Sequence, residues 1–143
     1  MAIDGLDDDT IRKVLLNTRR IAVVGASANP MRPSNGVTAF LVGRGFDVTP
    51  VNPGLTGQRL HGSTVAASLE EAGPLEMVDI FRRSEEAGKV VDEAIRLGAR
   101  TVWMQLGVID TAAAERARAA GLVAVMDRCP VIEWRRLGLS DGA

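Results

Sequence analysis

The chain is poor in the residues that most often announce a chemistry. Its 143 residues include one cysteine, Cys129, one histidine, His61, and only 3% aromatics. A single cysteine excludes an intramolecular disulfide framework. One thiol with one imidazole is also too small a set for a zinc site of those ligands, so no metal is expected. Charge of one sign is lacking too: 17 basic against 18 acidic side chains leave a formal net charge of −1. That balance provides no whole-molecule field to draw in nucleic acid or an anionic membrane surface. No apolar run approaches the roughly 20 residues that span a bilayer, and the opening stretch MAIDGLDDDT is acidic where a secretory leader is basic. The expectation is a cytoplasmic protein that uses neither nucleic acid nor membrane, with a homodimer or a protein partner left open.

What is present is a core-forming alphabet. Hydrophobic residues make up 46% of the chain, and with so few aromatics that core is built from Val, Leu, Ile and Ala. Short β-branched runs recur at Ile21 to Val24, Asp47 to Val51, Met77 to Phe81, Thr101 to Met104 and Val123 to Met126. Most lack polar alternation, as strands covered on both faces do. Helical patterns fill the gaps. The segment SEEAGKVVDEAIRLG carries Ser84 as a candidate N-cap, acids in its first turn and Gly98 as its stop. A second helix, DTAAAERARAAG, has Asp110 as cap and Gly121 as stop, and further helices are expected over DDDTIRKVLLNT and NGVTAFLVGRG. Strand and helix alternating through short connections predict an α/β, single-domain, Rossmann-like doubly wound parallel sheet of about five strands with helices on both faces. By analogy with nucleotide-binding folds its order is 3-2-1-4-5. The expected parts are an N-terminal helix at about 7–18, a core over about 20–128 and a C-terminal strap over about 130–143, VIEWRRL forming a last helix. The long connection from Asn52 to Glu76 holds one short helix near Val65 to Glu71.

In such a sheet the crevice lies beyond the carboxyl ends of the strands. After the first strand, Gly25 permits a tight turn, Ala26 and Ser27 let a ligand approach the backbone, and Ser34 is placed to cap the next helix, whose N-terminus favours an anion. A NAD-type fingerprint needs glycines at the second and fifth positions after Gly25, and these are Ser27 and Pro30. It also needs an acid at the end of the second strand, and Asn52 stands there. No Gly-Lys-Ser/Thr follows Gly25 at Walker A spacing. Arginines recur just after strands, at Arg32, Arg59, Arg82, Arg83 and Arg128. Their planar forks suit phosphate, and the topology predicts that they converge on one edge. MQLG, Met104 to Gly107, adds small and polar groups there. No catalytic triad is recognisable by spacing, Asp79 and Asp127 read as strand-associated residues, and Trp103 and Trp134 read as packing.

The segments IAVVGAS, RPSNGV, GFDVTPVNP, VDIFR, VWMQLGV and DRCPVIEWRRL together resemble the stand-alone coenzyme A-binding proteins. The domain of that family is similar to the N-terminal domain of the succinyl-CoA synthetase alpha subunit. The resemblance runs from about Thr10 to Leu137 and implies a fold that binds coenzyme A or an acyl-CoA. By it, Gly25, Ala26, Ser27, Arg32 and Ser34 contact phosphates, Asn52 and Pro53 flank the nucleotide, Phe81 and Arg82 sit beside its adenine or ribose phosphate, and Gln105 and Gly107 lie along the pantetheine arm. The synthetase works through a phosphohistidine on a second domain, and no such domain is expected here. His61 lies in the long loop outside the matching context, so ligase activity is not expected and no catalytic residue is assigned. Cys129, beside Arg128, has two readings: a thiol activated for exchange with the coenzyme A thiol, or a small buried hydrophobe. The expected function is a non-catalytic binding module. The alternative is a NAD(P)- or CoA-thiol-linked redox enzyme on the same fold.

Overall fold

The computed structural model describes residues 2–139. Helix α1 (Asp8–Asn17) opens on Asp7, whose carboxylate accepts from Thr10 N–H at 2.9 Å, and buries Ile11, Val14 and Leu15. There follow β1 (Arg20–Val24), α2 (Pro33–Gly43) and β2 (Asp47–Val51), then a 3-10 turn (Pro53–Leu55), the two-residue strands β3 (Arg59–Leu60) and β4 (Ser63–Thr64), and α3 (Leu69–Ala72). The second half is regular: β5 (Met77–Ile80), α4 (Ser84–Arg96), β6 (Thr101–Met104), α5 (Thr111–Ala119), β7 (Val123–Val125) and α6 (Pro130–Arg136). The expected strap is α6, and residues 140–143 of it lie outside the described residues.

Five strands form one parallel sheet in the order β2-β1-β5-β6-β7, and β3-β4 is a separate antiparallel pair. The α/β expectation holds. The order differs, because counting the five main strands it is 2-1-3-4-5 rather than 3-2-1-4-5. The physical reason is in β2: Pro50 has no N–H to give a further ladder, and such a strand belongs at an edge. The chain therefore returns past β1, and β5 pairs with β1 over Ile21↔Met77 to Val24↔Ile80. All four residues of β5 are buried, as a central strand requires. Winding reverses between β1 and β5, so the crevice of the sheet opens there.

Alternation sorts the strand side chains into two cores. Ala22, Val78, Ile80, Val102 and Met104 pack under α3, α4 and α5, whose alanines at 87, 94, 113, 114 and 117 let the helices approach closely. Ile21, Val23, Met77, Trp103 and Val125 pack under α1, α2 and α6. Trp103 and Trp134 are core residues, and Trp134 meets Phe40 and Phe46 edge-on at 6.4 and 5.9 Å between centroids. No helix among the described residues is long and apolar enough to cross a membrane.

Two expected caps are corrected. Helix α4 begins at Ser84 with Arg83 as its N-cap, and no side chain caps it. The Ser84 hydroxyl instead reaches the loop after β6, accepting from Ile109 N–H at 2.9 Å and donating to Gly107 C=O at 3.3 Å. Likewise α2 takes Arg32 as N-cap with Pro33 at its first position, and Ser34 is a buried helical residue. Asp110 caps α5 as expected, accepting from Ala113 N–H at 3.0 Å.

Candidate functional site

At the β1/β5 switch the backbones crowd. Gly25 has φ +90°, and a Cβ there would sit inside contact distance of the Phe81 carbonyl. Gly25 and Ala26 N–H both donate to Val51 C=O, at 3.1 and 3.3 Å, and Phe81 N–H donates to Val24 C=O at 2.9 Å. The first loop is thus pinned between β2 and β5, and only glycine fits the turn.

The rest of the loop is shaped by asparagines. Asn29 N–H donates to the Ser27 hydroxyl at 3.0 Å, Met31 N–H donates to Asn29 Oδ1 at 2.9 Å, and Asn35 Nδ2 donates to Ser27 C=O at 2.8 Å. His61, at the tip of the β3-β4 hairpin, meets Asn35 Oδ1 through Nε2 at 2.9 Å. Asn35 and His61 were not read as site residues in the sequence. The only signal was a polar residue on the inward face of α2, and the hairpin that reaches it is 26 residues away. Asn52 is spent on structure as well, with Nδ2 donating to Ala26 C=O and Oδ1 accepting from Gly54 N–H, both at 2.8 Å. An acid at this place keeps only acceptors and must lose the Ala26 bond. Asn52→Asp is therefore expected to destabilise the protein by about 1–3 kcal/mol in urea unfolding. Unchanged stability would show that the bond does not hold the loop.

These walls enclose a cleft of about 860 Å³, within the range of small-molecule sites. Gly25, Ala26, Ser27, Arg32 and Ser34 line it from the first loop and α2. Asn52, Phe81, Arg82, Gln105 and Gly107 line it from the ends of β2, β5 and β6. Pro53 lies instead in an adjoining groove of about 350 Å³ on the α3-α4 side, which shares Gly25, Asn52 and Arg82 with the cleft. Of the strand-end arginines, Arg32, Arg82 and Arg83 line the cleft. The expected convergence fails for the other two. Arg59 donates to Gly62 C=O within its own hairpin, and Arg128 is buried against Asp4 and Glu133. Cys129 is a buried member of the α1-α2-α6 core and does not line the cleft.

The cations of the cleft differ in availability. Arg82 and Arg83 both reach Glu86, at 2.7 and 3.1 Å. The hydrogen bond from Arg83, with the charge of both arginines, holds the Glu86 carboxyl below its ordinary range. Arg32 makes no ion pair or side-chain hydrogen bond among the described residues and stands exposed at the N-terminus of α2. No side chain caps α2, Pro33 has no N–H and Asn35 N–H donates to Arg32 C=O at 3.0 Å, so in the first turn it is the Ser34 N–H that is left for an anion. Across the cleft Asp127, at φ +57°, accepts from Gly107 N–H at 2.7 Å and fixes the turn after β6.

An open parallel sheet, with a glycine-turned loop and a cationic cleft at its switch point, defines a Rossmann-like α/β domain. Residues 19–135 match the CoA binding domain family, and the chain belongs to it. It is 35% identical over 120 residues to the uncharacterized protein YneT of Bacillus subtilis strain 168, covering 83% of this chain and 87% of that one. A hypothetical protein from Pyrococcus horikoshii OT3 superposes with a TM-score of 0.89 at 38% identity, over 96% of both chains. The acetyl-coenzyme A synthetase 1 of Ca. Korarchaeum cryptofilum, solved with phosphate and ADP, shares the fold at 22% identity. Its TM-score is 0.66, over 78% of this chain and 26% of that one.

Proposed function

We propose that this protein binds coenzyme A or an acyl-CoA in the cleft at the β1/β5 switch and is a binding module without catalysis of its own. One observation carries the reading: ten residues drawn from the ends of four strands and the start of α2 line a single cleft, and three of its cations suit separated phosphates. In this reading Ser27, Arg32 and the Ser34 N–H at the start of α2 hold the pyrophosphate. Phe81 and Arg82, with Pro53 in the adjoining groove, hold the nucleotide end. Gln105 and Gly107 follow the pantetheine arm.

Two features favour coenzyme A over a dinucleotide. Ser27 and Pro30 stand where a dinucleotide loop has glycines. Asn52 offers no carboxylate to ribose hydroxyls, and its amide is already committed to Ala26 and Gly54. Cys129 belongs to the core in this reading, a buried residue that does not line the cleft.

Calorimetry with coenzyme A, acetyl-CoA, NAD and NADP tests the proposal. Coenzyme A is expected to bind, more weakly as salt rises, and Arg32→Ala to lower its affinity by about tenfold. Preference for NAD or NADP, or coenzyme A binding that Arg32→Ala leaves unchanged, overturns the site as drawn.

A further inference from the structure

Among the described residues, the buried side-chain nitrogens and oxygens all have hydrogen-bond partners except three: both carboxylate oxygens of Asp79 and Oε1 of Gln105. Leaving such a group buried and unpaired is costly. The three atoms are neighbours by register. Asp79 on β5 pairs with Trp103 on β6, and Gln105 extends β6 by donating its N–H to Ile80 C=O at 3.3 Å. Alternation puts Asp79, Trp103 and Gln105 on the same face, with Asp79 and Gln105 one diagonal step apart, roughly 8 Å between Cα atoms by strand spacing and rise. The two side chains together can span that step.

Other partners for Asp79 are taken or apolar. The Trp103 indole donates to Arg128 C=O at 2.8 Å. Val23, opposite Asp79 on β1, is apolar, and the buried Thr38 hydroxyl of α2 donates to Ser34 C=O at 2.7 Å. No charged side chain bears on Asp79 from the strands beside it or the helices over it. Burial alone pushes its carboxyl well above the ordinary carboxylate range, which favours the protonated form, the form with one O–H to donate. Gln105 lines the cleft, and the sealed end of its amide is Oε1.

We propose that Asp79 is a positioning residue for the cleft: its carboxylic acid donates to Gln105 Oε1 and fixes the amide with Nε2 toward the ligand. A side-chain rotation closes the pair. Gln105 then presents donors only, so the wall after β6 selects a ligand carbonyl over a ligand N–H. The pairing itself stands without any ligand. Naming the acceptor as an amide or thioester carbonyl of the pantetheine arm rests on the coenzyme A reading.

The first test uses the free protein. The infrared difference between wild type and Asp79→Asn near neutral pH is expected to show a protonated carboxyl stretch, and Gln105→Met is expected to move that band up as the acceptor is lost. No such band, or a band that Gln105→Met leaves in place, overturns the pairing. The second test is calorimetry with coenzyme A. Asp79→Leu is expected to bind about tenfold more weakly, Asp79→Asn, which keeps a donor, within about twofold of wild type, and Asp79→Leu to add nothing in a Gln105→Met background. Wild-type affinity in Asp79→Leu overturns the positioning role. If the infrared pairing holds but wild type binds no coenzyme A, the coenzyme A reading falls and the pairing stands.

Asp79→Leu is expected to fold, since an apolar residue suits a fully buried site. The pKa of Asp79 is raised by folding, so the wild type is most stable below the unfolded-state value and loses stability as pH climbs from there through the folded value. The advantage of Asp79→Leu in thermal melts therefore grows over the same range.

Discussion

Asp4→Ala is expected to cost the protein about 3–5 kcal/mol and lower its thermal midpoint by about 10 °C or more. Asp4 lies four residues before α1 begins at Asp8, yet its side chain is sealed against the far end of the chain. Arg128 grips it with both arms of the guanidinium, Nε to Oδ2 at 2.8 Å and Nη2 to Oδ1 at 2.9 Å. Leu6 and Met126 N–H add bonds at 3.0 and 3.2 Å. The same guanidinium donates to Leu6 C=O and to Glu133, which Arg136 also holds at 2.9 Å. Removing Asp4 leaves a buried guanidinium with Glu133 as its remaining acid, and the penalty is mostly that of the uncompensated charge. The double variant Asp4→Leu, Arg128→Met is expected to regain part of the loss. A midpoint within a degree or two of wild type in Asp4→Ala would sink the argument.

The pH dependence of this clasp has a definite sign. Burial works to raise the Asp4 carboxyl, but the hydrogen bonds from Arg128, Leu6 and Met126 outweigh it and hold the pKa below its ordinary value. Glu133 is depressed in the same way, its burial outweighed by Arg136 and Arg128. Both groups stabilise the fold above their unfolded pKa values, and that contribution is lost as pH falls through the folded ones. The clasp also bears on the cleft. Asp127 sits between Met126 and Arg128, both held by Asp4, and is the residue that fixes Gly107.

Gly25→Ala is expected to be the most damaging single-methyl change at the site, with a loss of about 3 kcal/mol or more and no measurable coenzyme A binding. Gly25 combines φ +90° with a Cβ position that overlaps the Phe81 carbonyl, backbone one residue past β5 that is held by its bond to Val24 C=O. Gly107 is the matching control. Its φ is +77°, but open space surrounds its Cβ position, so Gly107→Ala should carry only the left-handed strain of about 1–2 kcal/mol. Equal losses in urea unfolding for the two variants would show that close approach to β5 is not what demands Gly25.

The strands and the helices α1, α4 and α5 were legible because their signals are local. Val and Ile runs, acids in first turns, and Asp110 at a helix start act within a turn or two of themselves. Ser84 shows where that reading stops. A serine before a helical run is a cap by local rules, yet its hydroxyl bonds Ile109 and Gly107 on the next connection. Pro50 held the key to the sheet order in plain view, since a proline that cannot extend a ladder marks β2 as an edge. The strand-end arginines were separable only in three dimensions, because nothing near Arg128 in sequence reveals that Asp4, 124 residues earlier, claims it.

By itself the sequence determined the α/β class, the loop at Gly25 and the lack of the glycines and acid that a dinucleotide site needs, since each depends on short-range periodicity or on a residue type at a fixed offset. The tertiary structure alone decided which cations face the cleft and that Asp79 and the Gln105 amide oxygen are buried without partners. Those outcomes depend on which distant groups become neighbours once water is excluded, and burial, not local pattern, then sets whether a charge is free, paired or neutralised.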